Sequence, residues 1–452
     1  MRTLRSLALT IVAGTAALTL AACSGSTQAS TIAAQIPELK SDQQVDITFE
    51  SYNLAQAGVW TDTVKGLIAD FEKAHPNIHV TAQAPQGGGA ALSNIVSSVQ
   101  TQLLAGKAPD VAQLTFDSLD FAATQLGANP ISDLVGQDAV DAHLDGAHPF
   151  HDKAKHLADW NGKTYGIPYV FSTPVLFYNA TQLQAAGLPA DVDLSTWDKV
   201  LTVAKAVTAK TGKPSLDLSC SVKGGNWCMQ GVFKSNGAEV LSDDRKTIGF
   251  GSDAAADTVS KLAEMNRAGV LRNTDSSSMS EGFAKGETAM QITSSALQGM
   301  FMASSAKAGW TLKAAGMPGF GDKPSVPTNS GSALFILGQD PAKQRASWEL
   351  IKFMTSDHAY EQISSKIGYL PLRTSLTQKG GVLYDWAQKN PLLAPNLAQL
   401  DRLQPWVSYP GNSYVQVDDI LATAIEDVVY YGKDAKATMS EAQRRAQDLL
   451  PR

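Results

Sequence analysis

The stretch Tyr165–Asn179, YGIPYVFSTPVLFYN, sets Ser172 and Thr173 between two apolar runs that carry aromatic rings with polar tips. Hydroxyls at a corner between strands can exchange hydrogen bonds with a small polar molecule where a crevice opens, and rings can cover its apolar faces. Similar material recurs along the chain. Asp117 follows a short apolar run, Ser294 and Ser295 close another, and Gly331 with Ser332 opens a third, where glycine lets a ligand approach the backbone. Trp227, Tyr369, Trp406 and Tyr409 stand in loops outside any periodic apolar pattern. Such rings suit stacking on a sugar or covering a choline-like cation, and equally suit anchoring the loops themselves.

Motifs for making and breaking bonds are missing. The chain holds no G-x-S-x-G, no H-E-x-x-H and no P-loop, although a carboxylate pair for glycoside hydrolysis has no spacing by which to recognise it. His143, His148, His151 and His156 lie near Asp145 and Asp152 without metal-ligand spacing, so neither metal nor cofactor is expected. The glycine run Gly87–Gly89 precedes a helix and could either offer backbone N–H groups to an anion or form a plain turn.

The elements that must position these residues alternate in type. Val45, Ile47 and Phe49 read as a strand; Val64, Leu67, Ile68 and Phe71 as one face of a helix; Ile78 and Val80 as a second strand; and residues 90–104 as a helix before a strand at Val111–Leu114. This alternation predicts an α/β lobe with a largely parallel sheet. Pro168 and Pro174 should each break a buried strand, leaving Ser172 and Thr173 at a bend. Further helices are expected around Thr181–Ala186, Trp197–Ala209 and Ala254–Ala268, and a buried strand at Ser330–Ile336.

Met1–Cys23 has Arg2 and Arg5, an apolar run Leu7–Leu20 and then Leu-Ala-Ala-Cys, which reads as a lipoprotein leader (residues 1–22) with Cys23 as the lipid acceptor. The run is too short for a membrane span of about 20 residues. Residues 23–44, rich at first in Ser, Ala, Thr and Gln, read as a tether. Loss of the leader removes two positive charges and moves the formal charge from -6 to -8, which disfavours nucleic acid as a partner. Beyond Cys23, only Cys220 and Cys228 remain. Outside the cytoplasm an even remainder implies a bridge pinning SVKGGNW, the other reading being two buried thiols.

The motif G-I-P-x-x-x-S-T-P-V-L-F-Y-N resembles the lobe crossover of family 1 solute-binding proteins of ABC importers. The similarity continues through Leu104–Asp110 (LAGKAPD), Phe283–Ala296 (FAKGETAMQITSSA), Gly331–Leu334 (GSAL) and Lys366–Pro371 (KIGYLP), and is strongest to the glycerol-3-phosphate-binding branch. It implies a two-lobed periplasmic-binding-protein fold of type II, with interlobe crossovers and ligand in the cleft. Lobe 1 is then expected over 45–164 and 318–366, and lobe 2 over 165–317 and 367–452. The resemblance further implies ligand contacts from Ser294 or Ser295 and from Tyr369; an acidic residue of that branch contacts ligand where this chain has Phe116, which makes the neighbouring Asp117 a candidate. In that branch an arginine two residues before Gly-Asn pairs with phosphate; here Tyr409 stands in its place. Of the branch's two loop tryptophans, Trp227 is present and Gly224 replaces the other. Loss of the anion clamp argues against a phosphomonoester.

The expectation is therefore a lipid-anchored, extracytoplasmic, monomeric receptor that is not an enzyme. It would deliver a small polar solute to the permease of an ABC importer. A glycerophosphodiester such as glycerophosphocholine is the first choice of solute, an oligosaccharide the alternative, and a secreted carbohydrate-active enzyme the alternative of another class.

Overall fold

The computed structural model describes residues 35–87 and 91–451. The expected leader, Cys23 and most of the tether lie outside the described residues, as do Gly88 and Gly89 of the glycine run. Two sheets are built from β1 (Val45–Glu50), β2 (Ile78–Gln83), β3 (Val111–Thr115), β4 (Gly166–Ser172), β5 (Pro174–Asn179), β6 (Leu216–Leu218), β7 (Met290–Ser294), β8 (Leu312–Gly316) and β9 (Ser330–Ile336). The first sheet runs β2-β1-β3-β9-β4 and the second β8-β5-β7-β6.

Alternating Val45, Ile47 and Phe49 face the first core, where α1 (Val59–Ala74) lays Val64, Leu67, Ile68 and Phe71 against them, all buried. That spacing of three and four residues places the four side chains on one helical face. Each contributes on the order of 1.5–3 kcal/mol through burial. α2 (Ala91–Leu104) and α3 (Leu119–Thr124) flank β3. In the second lobe α4 (Trp197–Thr211) is capped by the Thr196 side chain and ends at Gly212 in the left-handed region. α5 (Asp253–Arg267) begins at a Ser252 cap. In the first lobe α6 (Pro341–Met354) combines an Asp340 cap with proline in its first turn. At the end of the chain α7 (Tyr414–Val429) and α8 (Ala435–Gln447) pack on each other and on α5.

The first sheet is mixed rather than largely parallel: β1 pairs in parallel with β2 and β3, but β9 is antiparallel to both β3 and β4. The reason is topological. β1, β3 and β4 all run towards the crevice, and the chain leaves for the second lobe from the end of β4. It returns from the crevice side, so β9 enters the sheet pointing the other way.

Pro168 does not break its strand. β4 is the edge strand of its sheet, where a proline costs no ladder bond on the open side, and the pairing register with β9 slips at Ser332/Ala333 beside it. Pro174 instead opens β5, leaving Thr173 as the single residue between the sheets. The first crossing thus falls at Thr173, past the expected division at 164/165, because β4 belongs to the first sheet. The third crossing also comes later than 366/367. Leu370 N–H bonds to the Phe171 carbonyl, His151 N–H to that of Leu372, and the Arg373 guanidinium to the carbonyls of His143 and His148. The segment through Arg373 therefore stays with lobe 1.

Candidate functional site

The ends of β1, β3 and β4 and the start of β9 meet at one edge of the first sheet, where open α/β sheets bind ligands. A buried polar chain runs along it. Ser51 Oγ donates to Gln113 Oε1, Gln113 Nε2 donates to Ser332 Oγ at 2.9 Å, and Tyr52 hydroxyl donates to the same oxygen at 3.1 Å. The Tyr369 hydroxyl lies beside that of Tyr52, and its ring meets Trp60 edge-on at 5.2 Å. Burial pushes the Tyr52 hydroxyl up to about 12. Next to this chain, both amide atoms of Asn53 and the hydroxyl of Tyr169 are buried without a protein partner. Ser332 and Tyr369 were expected at the site; Tyr52, Asn53, Gln113 and Trp60 were not.

Gly331 adopts φ +114°, and a Cβ there would run into the Val170 carbonyl. Its conformation therefore serves the close approach of β9 to β4 at the register slip.

Ser172, Thr173, Ser294 and Ser295 come together at the crossing. Ser294 Oγ donates to Ser172 Oγ at 2.8 Å and accepts the Ala296 N–H, while Thr173 and Ser295 exchange backbone and side-chain bonds. Thr173 Oγ1 donates to Asn396 at 2.8 Å and accepts from Gln399 Nε2 at 3.0 Å. Thr173 and Ser295 are fully buried, so these hydroxyls are spent on tying strand to strand.

Across the crevice lies α7. Asp418 accepts from Asn226 Nδ2 at 2.8 Å, and burial, opposed by that bond and reinforced by the charge of Asp117, pushes its carboxyl up to about 7. Burial likewise pushes Asp117, at the end of β3, up to about 6, against hydrogen bonds from Thr115 and the local backbone. Asp117 Oδ1 is buried with no partner. Tyr414 feels both carboxylates and packs on Phe121 at 5.6 Å. Tyr409, only 3% exposed, lies near Asp418 with an unpartnered hydroxyl. Trp227 is half-buried in the same turn as Asn226, and the Cys220–Cys228 disulfide closes that loop. Asp418 was missed because it sits beside Val417 in an ordinary amphipathic helix.

At the far side Asp120 of α3 gathers donors from both lobes: Trp160 Nε1 at 3.1 Å, Arg245 Nη2 at 3.2 Å and Gly411 N–H at 3.2 Å. Arg245 also donates to the Ser408 carbonyl at 2.7 Å. The four histidines go to separate partners, Thr355, Asp357, Asp401 and Asp159. Among the described residues no group of three or more His, Cys, Asp or Glu could hold a metal ion. A surface hollow of about 540 Å³ lies elsewhere, beside Arg272, whose charge is already paired with Asp217.

This two-lobed α/β architecture, with polar groups converging between the lobes, recurs among known proteins. The family model described as bacterial extracellular solute-binding protein matches residues 66–395. The chain belongs to that family. Members bind solutes rather than transform them, and this solute-binding protein shares the maltose-binding-protein-like fold with interlobe cleft. A relative, the multiple sugar-binding protein of Streptococcus mutans, is 25% identical over 47% of this chain and 44% of its own. The match thus spans less than half of that relative's length. The sn-glycerol-3-phosphate-binding periplasmic protein UgpB of Brucella melitensis is 24% identical over 63% of this chain and 67% of its own. Among solved structures, UgpB from Mycobacterium tuberculosis in complex with glycerophosphocholine superposes with TM-score 0.76 at 21% identity, covering 89% of this chain and 98% of that one. The cyclic α-maltosyl-1,6-maltose binding protein from Arthrobacter globiformis gives 0.73 at 17% identity, covering 90% and 98%. No described helix is long and apolar enough to cross a membrane.

Proposed function

We propose that this solute-binding protein is the receptor of an ABC importer for a polyhydroxylated solute of the oligosaccharide class. The observation that carries the reading is the make-up of the crevice: hydroxyls, amides and the carboxylates Asp117 and Asp418, of which Asp418 takes its hydrogen bond from the neutral amide of Asn226 and Asp117 leaves Oδ1 buried without a partner. Carboxylates accept hydrogen bonds from sugar hydroxyls, whereas a phosphate would meet like charge. The sugar-binding name of the Streptococcus mutans relative supports the same choice. In this reading Asp117, Asn53, Tyr369 and Tyr409 bond the solute, Trp227 and Trp60 offer ring faces, and Ser332 orients Tyr52. Gly331 sets strand spacing, and Ser172, Thr173, Ser294 and Ser295 form the hinge about which the lobes close. Cys23 anchors the chain to the outer face of the membrane as a monomer, where it meets the permease.

A glycerophosphodiester is the second reading, favoured by the relatives named as sn-glycerol-3-phosphate-binding proteins. A thermal-shift and calorimetric screen of the purified chain decides. Maltooligosaccharides and other di- and trisaccharides should raise the melting temperature in proportion to the logarithm of their excess over Kd, and Tyr409→Phe should weaken them. Binding of glycerophosphocholine or glycerol 3-phosphate with silence of every sugar would refute the oligosaccharide reading.

A further inference from the structure

We propose that Asp117 and Asp418, one from each lobe, form a cation-reading subsite, so that the solute carries a protonated nitrogen as well as hydroxyls. The inference rests on the receptor reading above and deepens it.

Other buried carboxylates in this chain show what the usual arrangement is. Asp217 faces Arg272 at 2.6 Å, Asp110 faces Lys343 at 3.1 Å, and Asp120 faces Arg245 at 3.2 Å. Glu50, fully buried, takes amide protons from Gln83 and Gln102. The crevice pair departs from this pattern. Asp418 has one neutral amide donor, Asn226, and Asp117 leaves Oδ1 buried without any. Asp418 lies within the field of Asp117 and of Asp419, and the contact of Tyr414 with Phe121 at 5.6 Å brings the start of α7 against the segment that follows Asp117. Lys223 is engaged with Asp419 at 3.7 Å.

Two like charges in a partly dehydrated crevice repel, and closing the lobes brings them together. A hydroxyl would satisfy one lone pair and leave the repulsion. An ammonium group supplies N–H donors and the missing charge at once, which makes its bonds to a carboxylate stronger than neutral ones. The surrounding groups fit such a cation. Tyr409, with its unpartnered hydroxyl, lies beside Asp418, and the Tyr414 ring lies in the field of both carboxylates. Aromatic faces attract cations. Because the carboxylates come from opposite lobes, a cation between them also favours closure, so the same contact reads the solute and holds the cleft shut.

The test is calorimetric titration of the full-length chain with glucosamine di- and trisaccharides, their N-acetylated counterparts and the corresponding glucose oligomers. Glycerophosphocholine and calcium chloride are run beside them. The amine-bearing sugar is expected to bind about tenfold or more tighter than its N-acetylated counterpart. Asp418→Asn should erase that preference while leaving the melting profile cooperative, and Asp117→Asn should do the same independently. Equal affinity for amine and N-acetyl sugars, or an equal loss of both in Asp418→Asn, overturns the proposal and leaves the sugar-receptor reading standing. Binding of glycerophosphocholine alone, whose quaternary nitrogen carries charge but no N–H, would overturn both the protonated-nitrogen proposal and the sugar reading. A melting shift produced by calcium and abolished by Asp418→Asn overturns the proposal, since a metal then meets the charge.

Discussion

Asp418→Asn should stabilise the ligand-free protein at alkaline pH, and the gain should vanish on acidification. Burial pushes its carboxyl up to about 7 in the folded chain, from 3.8 for an unperturbed aspartate. A rise of about three units at 1.36 kcal/mol per unit is about 4 kcal/mol of stability lost once the group is ionised. Partial solvation of the crevice reduces this to between about 2 and 4 kcal/mol. The folded pKa is raised, so the folded chain holds the extra proton. Stability is full below the unfolded pKa near 4, declines as pH climbs from there, and is lost above about 7. Asparagine mimics the neutral carboxyl and keeps the Asn226 bond, so it escapes the decline. With an unfolding entropy of about 2.1 cal/mol/K per residue over roughly 400 residues, the variant should melt about 2–5 °C higher than wild type at pH 8.5. Near pH 4 the two should coincide. The assay is differential scanning calorimetry of both proteins across pH 4–9. A variant that melts lower than wild type at every pH, or a gain that does not change with pH, would refute the reasoning.

Gly331→Ala should be damaging out of proportion to its size, since it combines φ +114° with collision against the Val170 carbonyl. A loss of about 2–4 kcal/mol is expected in denaturant titration, and a neutral result would mean that β9 has room to move. Reduction of Cys220–Cys228, or the paired serine variant, releases a loop of sequence separation 8 and should cost about 2–3 kcal/mol. Melting with and without reductant measures it, and no shift would show the loop to be held by Lys223 and Asn226 alone. Tyr409→Phe removes a hydroxyl that bonds nothing within the protein, so melting should move by less than about 0.5 kcal/mol. A large destabilisation would show that the hydroxyl serves the fold and not a solute.

Much of the scaffold was legible because it follows from local chemistry. Val64, Leu67, Ile68 and Phe71 announce a helix face, and the helix expected over Trp197–Ala209 runs from Trp197 to Thr211 in the structure. Pro168 misled because tolerance of proline depends on being at a sheet edge, a property of strand order that no window of residues contains. Ser172, Thr173, Ser294 and Ser295 were singled out as ligand hydroxyls, and the structure gathers them at the lobe crossing, where Thr173 bonds Asn396 and Gln399, more than two hundred residues further along the chain. The same distance hid Asp418. Its neighbour in space, Asp117, is separated from it by most of the chain, and only folding makes the pair unusual.

Asp120 holds Trp160 from its own lobe and Arg245 and Gly411 from across the crevice. When the lobes part, water can take the place of each lost donor, and Arg245, already 38% exposed, regains its hydration readily. The net cost of opening at this point is accordingly small. The Arg245 and Gly411 bonds must nevertheless loosen together before water enters, which raises the barrier more than it deepens the well. The clasp therefore acts as a timer: it sets the dwell time of a captured molecule and the off-rate, while the crevice groups set how tightly it is held.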